Sequence, residues 1–134
     1  MRFEKSCGAI VFTQGKSEIK YVIVKEKHGN FGFAKGHVEG EECEIQTALR
    51  EVKEETGLGV EIIDGFRYED SFTFSHRGKQ ICKQVIYFLA SYKDQTPTAQ
   101  ETEICKVYLM NFKTALATLK FPVLCNIFRI PILR

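Results

Sequence analysis

Between Gly36 and Leu58 the chain reads G-H-V-E-G-E-E-C-E-I-Q-T-A-L-R-E-V-K-E-E-T-G-L, and this stretch limits the possible folds more than any other. From Cys43 to Thr56 neither Gly nor Pro interrupts it, while Ile45, Ala48, Leu49 and Val52 recur at the three- and four-residue steps of one apolar helical face. Gly57 stops the helix, since a glycine just past a last turn accepts the left-handed conformation. With Ile45 at zero and about 100° per residue, the apolar side chains fall within about 60° of zero, Glu54 near about 180°, Glu51 near about 240° and Glu55 near about 280°. Three carboxylates are thus expected on the face turned away from the core. Like charges three and four residues apart cost an isolated helix roughly 0.2–0.5 kcal/mol per pair, and the helix dipole disfavours anions in the C-terminal half. A cation is needed to offset them. Arg50 and Lys53 on a solvated face would serve; so would a hard divalent ion, Mg²⁺ or Mn²⁺, which takes few protein ligands and keeps sites for water and phosphate oxygens.

Spacing decides between the two. Gly36, Glu42, Arg50-Glu51, Glu54-Glu55 and Gly57 fix seven identities at set intervals; at about 5–7% usage each, a random window matches with a probability of order 10⁻⁹ to 10⁻⁸. This arrangement resembles the signature box of the Nudix hydrolases, enzymes that cleave a nucleoside diphosphate linked to another group, and every defining position is filled. The resemblance implies an α/β/α sandwich, a mixed sheet between the box helix and a C-terminal helix. It also implies that Glu51, Glu54 and Glu55 carry catalysis, that a backbone carbonyl near Lys35-Gly36 completes the metal shell, and that an acid from a later loop serves in some members. Glu101 matches that later position better than its neighbour Glu103.

Helix geometry assigns roles to the three acids, and residue chemistry within the resemblance suggests the others. Glu51 and Glu55 lie about 40° and one turn apart, so they are the pair placed to share one divalent ion. Glu54, rotated about 60–100° from them, is free to accept a proton from an attacking water or to bind a second ion. Arg50 is expected to orient a carboxylate, Glu51 or Glu42; Glu42 ties the loop to the helix start, and Gly36 lets the backbone approach ion and phosphate closely.

A chain of 134 residues is the size of one domain, here 1–134, and 44% apolar with 27% charged residues is globular composition. Its net charge of +2, mixed along the chain, argues against a duplex-binding surface. The cysteines at 7, 43, 82, 105 and 125 form an odd set without a Cys-x-x-Cys pair, which favours neither a disulfide framework nor a zinc site and fits a reducing cytoplasm. The N-terminus lacks the order of a signal peptide, and no apolar run approaches the ~18 residues of a membrane span.

In chain order, strands are expected at residues 3–12 and 19–24, with residues 27–34 a Gly- and aromatic-rich loop over the phosphate site. After the helix come strands at 60–63 and 66–74, broken by Asp64-Gly65, then a polar hairpin at 75–79 and the longest strand at 80–92. A loop at 93–102 precedes a strand at 103–110, and helices are expected around Phe112–Leu119 and from Pro122 through Phe128.

A second resemblance covers nearly the whole chain. Cys7-Gly-Ala-Ile-Val-Phe12, Lys35-Gly-His-Val-Glu39, Ile63-Asp-Gly-Phe66 and Lys83-Gln-Val-Ile-Tyr-Phe-Leu-Ala90 are similar to the asymmetric diadenosine tetraphosphate hydrolases of the family, which produce ATP and AMP. On that reading Lys35 and Lys83 neutralise a polyphosphate, Tyr87 stacks a base from the strand face it shares with Lys83, Phe31 adds a second stacking surface, and His28 or His37 meets the phosphates. Against it, a Tyr in an apolar strand is more often core. The chain also departs from the usual Pro-Lys-Gly-His and Val-Glu-Pro-Gly-Glu, reading Ala34-Lys-Gly-His and Val38-Glu-Gly-Glu-Glu42. Alternatives are a (deoxy)nucleoside triphosphate pyrophosphatase, an RNA 5′ pyrophosphohydrolase and a nucleotide-sensing module without turnover. An intact box favours an enzyme over the last.

Overall fold

The computed structural model describes residues 1–100 and 104–119. Its elements run β1 (Arg2–Gln14), β2 (Ile19–Glu26), β3 (Phe31–Gly32), β4 (Lys35–His37), α1 (Glu44–Thr56), β5 (Glu61–His76), β6 (Lys79–Ser91), β7 (Ile104–Met110) and α2 (Phe112–Thr118). They form one mixed sheet in the order β3-β2-β1-β6-β5, with β4 beside β1 and β7 beside β2.

The centre of the sheet is β1. Along one edge it runs parallel to β6 from Arg2 opposite Ile81 to Phe12 opposite Ser91. Its other edge is divided: Phe12–Gln14 pair with β2, and Ser6–Gly8 pair with β4. Because β2 turns away to pair with β3 and β7, a gap is left between the end of β2 and β4. Glu51, Glu55, Lys35 and His37, candidates from the sequence, line a cavity at that gap.

Both faces of the sheet are covered. Cys7, Ala9 and Val11 of β1 and Ile86, Phe88 and Ala90 of β6 belong to the apolar clusters that take Ala48 and Val52 of α1. Their neighbours in sequence, Ile10, Val85, Tyr87 and Leu89, pack with Ala115 and Leu119 at α2 on the opposite face. Such strands read as continuous apolar runs because both faces are buried. The expected mixed sheet flanked by helices is what forms. The helix expected from Pro122 and the acids Glu101 and Glu103 lie outside the described residues.

Two expectations are corrected. First, Asp64-Gly65 does not divide a strand pair. β5 continues through them, and the register against β6 slips between Ile62 and Arg67, so the glycine at φ 92° marks a bulge. Arg77 and Gly78, at φ 52° and 76°, make the two-residue turn into β6.

Second, α1 is rotated relative to the expected burial. Thr47, Ala48, Glu51, Val52, Glu55 and Thr56 are its buried residues, whereas Ile45 is 40% exposed. The centre of burial is shifted roughly 70° around the helix from Ile45 toward the acids. Glu51 and Glu55 therefore point inward, and of the three acids only Glu54 is exposed. An apolar wheel missed this because hydrophobicity was its only criterion, while the neighbouring β4 segment supplies polar contacts that make carboxylate burial tolerable.

Candidate active site

Several devices hold α1 in place. At its start Gln46 Oε1 accepts the Cys43 amide at 2.9 Å, the reciprocal half of a capping box. At its end Gly57, at φ 76°, donates its N–H to Lys53 O at 2.9 Å, and the Lys53 ammonium bonds Gly57 O. The last carbonyls are taken by the following loop, with Thr98 N–H on Thr56 O at 2.9 Å and Gln100 N–H on Glu55 O at 3.3 Å.

Arg50 organises the acids. Its Nε and Nη2 donate to the two oxygens of Glu42 at 2.7 and 3.0 Å, Nη1 donates to Glu51 Oε1 at 2.8 Å and Glu54 Oε2 at 3.1 Å, and Nη2 also reaches His37 O at 2.9 Å. One planar guanidinium thus binds loop, helix and β4 together, a task that a lysine ammonium, without the fork, would not perform. Both carboxylates named for it, Glu42 and Glu51, are its partners. Arg50 and the Glu39 N–H hold the Glu42 carboxyl down at about 2. Thr47 Oγ1 donates to the same carboxylate at 2.9 Å.

Gly36 makes a close approach that the sequence did not predict. A β-carbon there would overlap the Glu51 carboxyl group, so the bare backbone is what lets that carboxylate lie flat against β4. Glu55 is anchored by the Lys35 amide, which donates to its Oε1 at 3.2 Å. Buried carboxylates are costly unless paired and hydrogen-bonded, and these two have such partners on the side facing the protein.

Their other side faces a polar cavity of about 350 Å³, lined by Glu51, Glu55, Glu26, Lys35, His37 and Lys83 among others. A second cavity, about 270 Å³ and mainly apolar, is lined by Phe31, Phe33, Phe72 and Tyr87 together with Asn30 and Asp70. Glu26, Phe33, Lys35 and Lys83 line both, so the two spaces adjoin across a pair of lysines. Burial, and then the nearby Lys35 charge, push the Lys83 ammonium below the usual lysine value. An anion between the two ammonium groups would relieve both effects.

The remaining candidates sort plainly. Phe31 lines the apolar cavity, 5.9 Å from the Tyr108 ring. Tyr87 is both things it was weighed as: 3% exposed, it is a core residue packed edge-on to Phe33 at 5.7 Å, and it floors the cavity on the face it shares with Lys83. Its phenol is held well above the usual tyrosine range by burial, then by Glu26, Asp70 and Glu55. His28 lines neither cavity and instead bonds Glu26 at 2.8 Å. Glu54, with its side chain 57% exposed, lines neither cavity and joins the cluster through Arg50.

Among the described residues no three His, Cys, Asp or Glu side chains converge as a complete metal cage. The donor set present nonetheless fits a hard cation that keeps its waters: two carboxylates one turn apart, fixed from behind, on a backbone kept bare by glycine. Sequence reasoning missed Glu26, Asn30, Phe33, Asp70 and Phe72. The alternation Tyr68-x-Asp70-x-Phe72-x-Phe74 was a signal for one face of a strand, but which face bordered the lysines depended on the β5–β6 register.

Comparison with known proteins places this geometry. A model of the NUDIX domain matches residues 3–124. The asymmetrical bis(5′-nucleosyl)-tetraphosphatase of Mus musculus is 36% identical over 101 residues, covering 67% of this chain and 66% of the mouse protein; the chain thus matches slightly less than two thirds of that relative's length. Among solved structures, a Caenorhabditis elegans Ap4A hydrolase binary complex superposes with a TM-score of 0.80 at 20% identity over 94% of this chain and 93% of that one. The NUDIX domain of Shewanella oneidensis NrtR, complexed with ADP ribose, gives 0.72 at 19% over 98% and 89%. At such identities these two structures bear on the fold alone.

Proposed function

The chain belongs to the NUDIX family, and on that premise we propose that it is a metal-dependent pyrophosphohydrolase of nucleoside diphosphate-linked compounds, with a dinucleoside polyphosphate as substrate. The reaction proposed is water attack on one phosphorus of diadenosine tetraphosphate, giving ATP and AMP. One observation carries the reading: a carboxylate cavity and an aromatic cavity adjoin across Lys35 and Lys83, matching a molecule in which polyphosphate joins a reacting centre to a base. The tetraphosphatase relatives support the same substrate class.

The family generally uses a divalent metal. Here Mg²⁺ or Mn²⁺ would be held by Glu51 and Glu55, with the Lys35 carbonyl and Glu101 as further candidate ligands. When bound, such an ion lowers the pKa of a water and neutralises charge spreading over phosphoryl oxygens.

The chain's own groups do the rest. Lys35 and Lys83 orient the polyphosphate and offset its charge. Arg50 fixes Glu51 through Nη1 and the loop through Glu42, so the carboxylates need little rearrangement at reaction. Glu54 is proposed as the general base because, of the three helix acids, it alone is exposed and left over once Glu51 and Glu55 are taken as ligands, while Arg50 keeps it tied to the cluster. Glu101 is the alternative base, and His37, at the rim of the polar cavity, meets the phosphates. The free cysteines among the described residues, Cys7, Cys43, Cys82 and Cys105, support a reducing, cytoplasmic setting.

The test is a panel of dinucleoside polyphosphates, nucleoside triphosphates, nucleotide sugars and 5′-triphosphorylated RNA, assayed with Mg²⁺ in ¹⁸O-water. Dinucleoside tetraphosphates are expected to turn over faster than the other classes, diadenosine tetraphosphate giving ATP and AMP with label in one product only. Two ADP would reject the asymmetric reading, and turnover confined to triphosphates or RNA would reassign the substrate.

A further inference from the structure

Of the two carboxylates that line the mainly apolar cavity, Glu26 and Asp70, only Asp70 lacks a side-chain partner among the described residues. Asp70 lies opposite Val85 in the β5–β6 pairing, and Phe72 lies opposite Lys83, so Asp70 and Phe72 share the sheet face that carries Lys83, Val85 and Tyr87. All five line the cavity. Asp70 is half-buried, yet among the described residues its carboxylate takes part in no hydrogen bond or ion pair, unlike Glu26, which meets His28, and Glu44 and Glu69, which meet Lys5 or Arg67. Two acceptor oxygens beside aromatic rings are left to solvent in the free protein, so a ligand that fills the cavity and displaces that solvent must bring donors of its own or leave the carboxylate unsatisfied.

The ligand's form follows from the rings. A space of about 270 Å³ is below the roughly 300–1,000 Å³ that drug-sized ligands occupy and suits a single ring system. Phe31, Phe72 and Tyr87 offer apolar surfaces to it, and Lys35 and Lys83 wait on the side where a phosphate would leave. Among nucleobases, guanine alone presents two adjacent N–H donors, N1–H and the 2-amino group, to one carboxylate. Hypoxanthine lacks the second. Adenine offers only its 6-amino group and turns the N1 lone pair toward the acid, and uracil offers one N–H.

We propose that the Asp70 carboxylate selects the base held in the aromatic cavity, favouring guanine over adenine and hypoxanthine, so that the preferred dinucleoside polyphosphate carries guanine at the end bound there. This rests on the proposed function for its polyphosphate but not for its base, which the cavity reads by itself. A site whose buried polar group is satisfied by the right ligand penalises the analogue that lacks the donor.

The experiment is binding of GMP, IMP and AMP to the full chain by calorimetry, without any turnover, followed by kcat/KM for diguanosine and diadenosine tetraphosphate. GMP is expected to bind about tenfold or more tighter than either IMP or AMP, the scale of one bidentate contact to a base. Asp70→Asn, of the same shape, should bring the three within about threefold of one another, while Phe72→Ala should weaken all three together and leave their ratios unchanged. Equal affinities in the unmodified protein, or ratios unmoved by Asp70→Asn in a variant with an unaltered circular dichroism spectrum, would overturn the proposal. If GMP binds tightest as expected but neither tetraphosphate is cleaved, the base site stands and the dinucleoside polyphosphate reading fails; if a tetraphosphate is cleaved but GMP has no advantage over IMP and AMP, that reading stands and the base site fails.

Discussion

The two adjoining cavities are built on opposite plans. On the α1 side the walls are charged and tied in place: Arg50 alone donates five hydrogen bonds to four different residues, and the backbone of β4 touches both inner carboxylates. On the β5–β6 side the walls are largely rings, Phe31, Phe33, Phe72 and Tyr87, with Phe72 43% exposed on an edge strand. A small displacement of a charge misaligns a reaction, whereas a stacking surface tolerates it. On the function proposed above, the difference separates chemistry that must be held rigid from recognition that can be adjusted without disturbing it.

Changes that break the rigid side should have the largest effects. Glu55→Gln and Glu54→Gln are each expected to cut kcat by about 10²–10⁴-fold while the fold survives; a fully active variant would remove that residue from the mechanism. Gly36→Ala should cost about a hundredfold, because the new methyl group displaces the Glu51 carboxylate. Full activity there would mean that Glu51 moves freely and that the rigidity is not needed. Arg50→Lys keeps the charge but loses the fork, and about a tenfold fall in kcat is expected, with KM changed less.

On the aromatic side the effects should be smaller and should fall on binding. Phe31→Ala is expected to weaken substrates with a second base about tenfold, at little cost to simple triphosphates, as measured by KM. It is a cleaner probe than Tyr87→Ala, since truncating a buried aromatic costs about 3–5 kcal/mol of stability in its own right. If kcat fell instead of KM rising, the division between the two cavities would be wrong.

The smallest effect concerns the joint between the regions. Glu44, on the first turn of α1, bonds Arg67 of β5 at 2.9 Å through both oxygens and Lys5 of β1 at 2.7 Å. Arg67 first, and Lys5 after the opposing cost of burial, hold its carboxyl down at about 2. Because the folded value lies below the unfolded one of about 4.3, the unfolded chain binds the proton more readily. The stabilisation is therefore complete above that value and is lost as pH falls through about 4 toward 2. Glu44→Gln should flatten the decline of melting temperature in that window and leave the profile near neutrality almost unchanged. An unaltered acid limb would show that the pair contributes nothing measurable.

Much of the catalytic side was legible because it is local. Gly36, Glu42, Arg50, Glu51, Glu54, Glu55 and Gly57 are separated by fixed numbers of residues along one loop and one helix, so their spacing in sequence is close to their spacing in space. The same wheel misjudged which way Glu51 and Glu55 face, because the partners that permit their burial, the β4 backbone and the bare Gly36, are not part of the helix. Lys83 and Tyr87 were legible as a pair through the two-residue period of a strand. Glu26, Asp70 and Phe72 were not, since each becomes a neighbour of Lys83 only through strand pairing.

By itself, then, the sequence determined the helix, its acids, its start and stop, and the kind of ion those acids would suit, all of which follow from backbone periodicity and residue chemistry. Tertiary structure alone decided that β1 divides one edge between β2 and β4, that two carboxylates turn into the resulting gap, and that a ring-lined space opens beside it. Those outcomes depend on strand register and on contacts between residues far apart in the chain, and a one-residue slip of β5 would move Asp70 and Phe72 to the other face of the sheet.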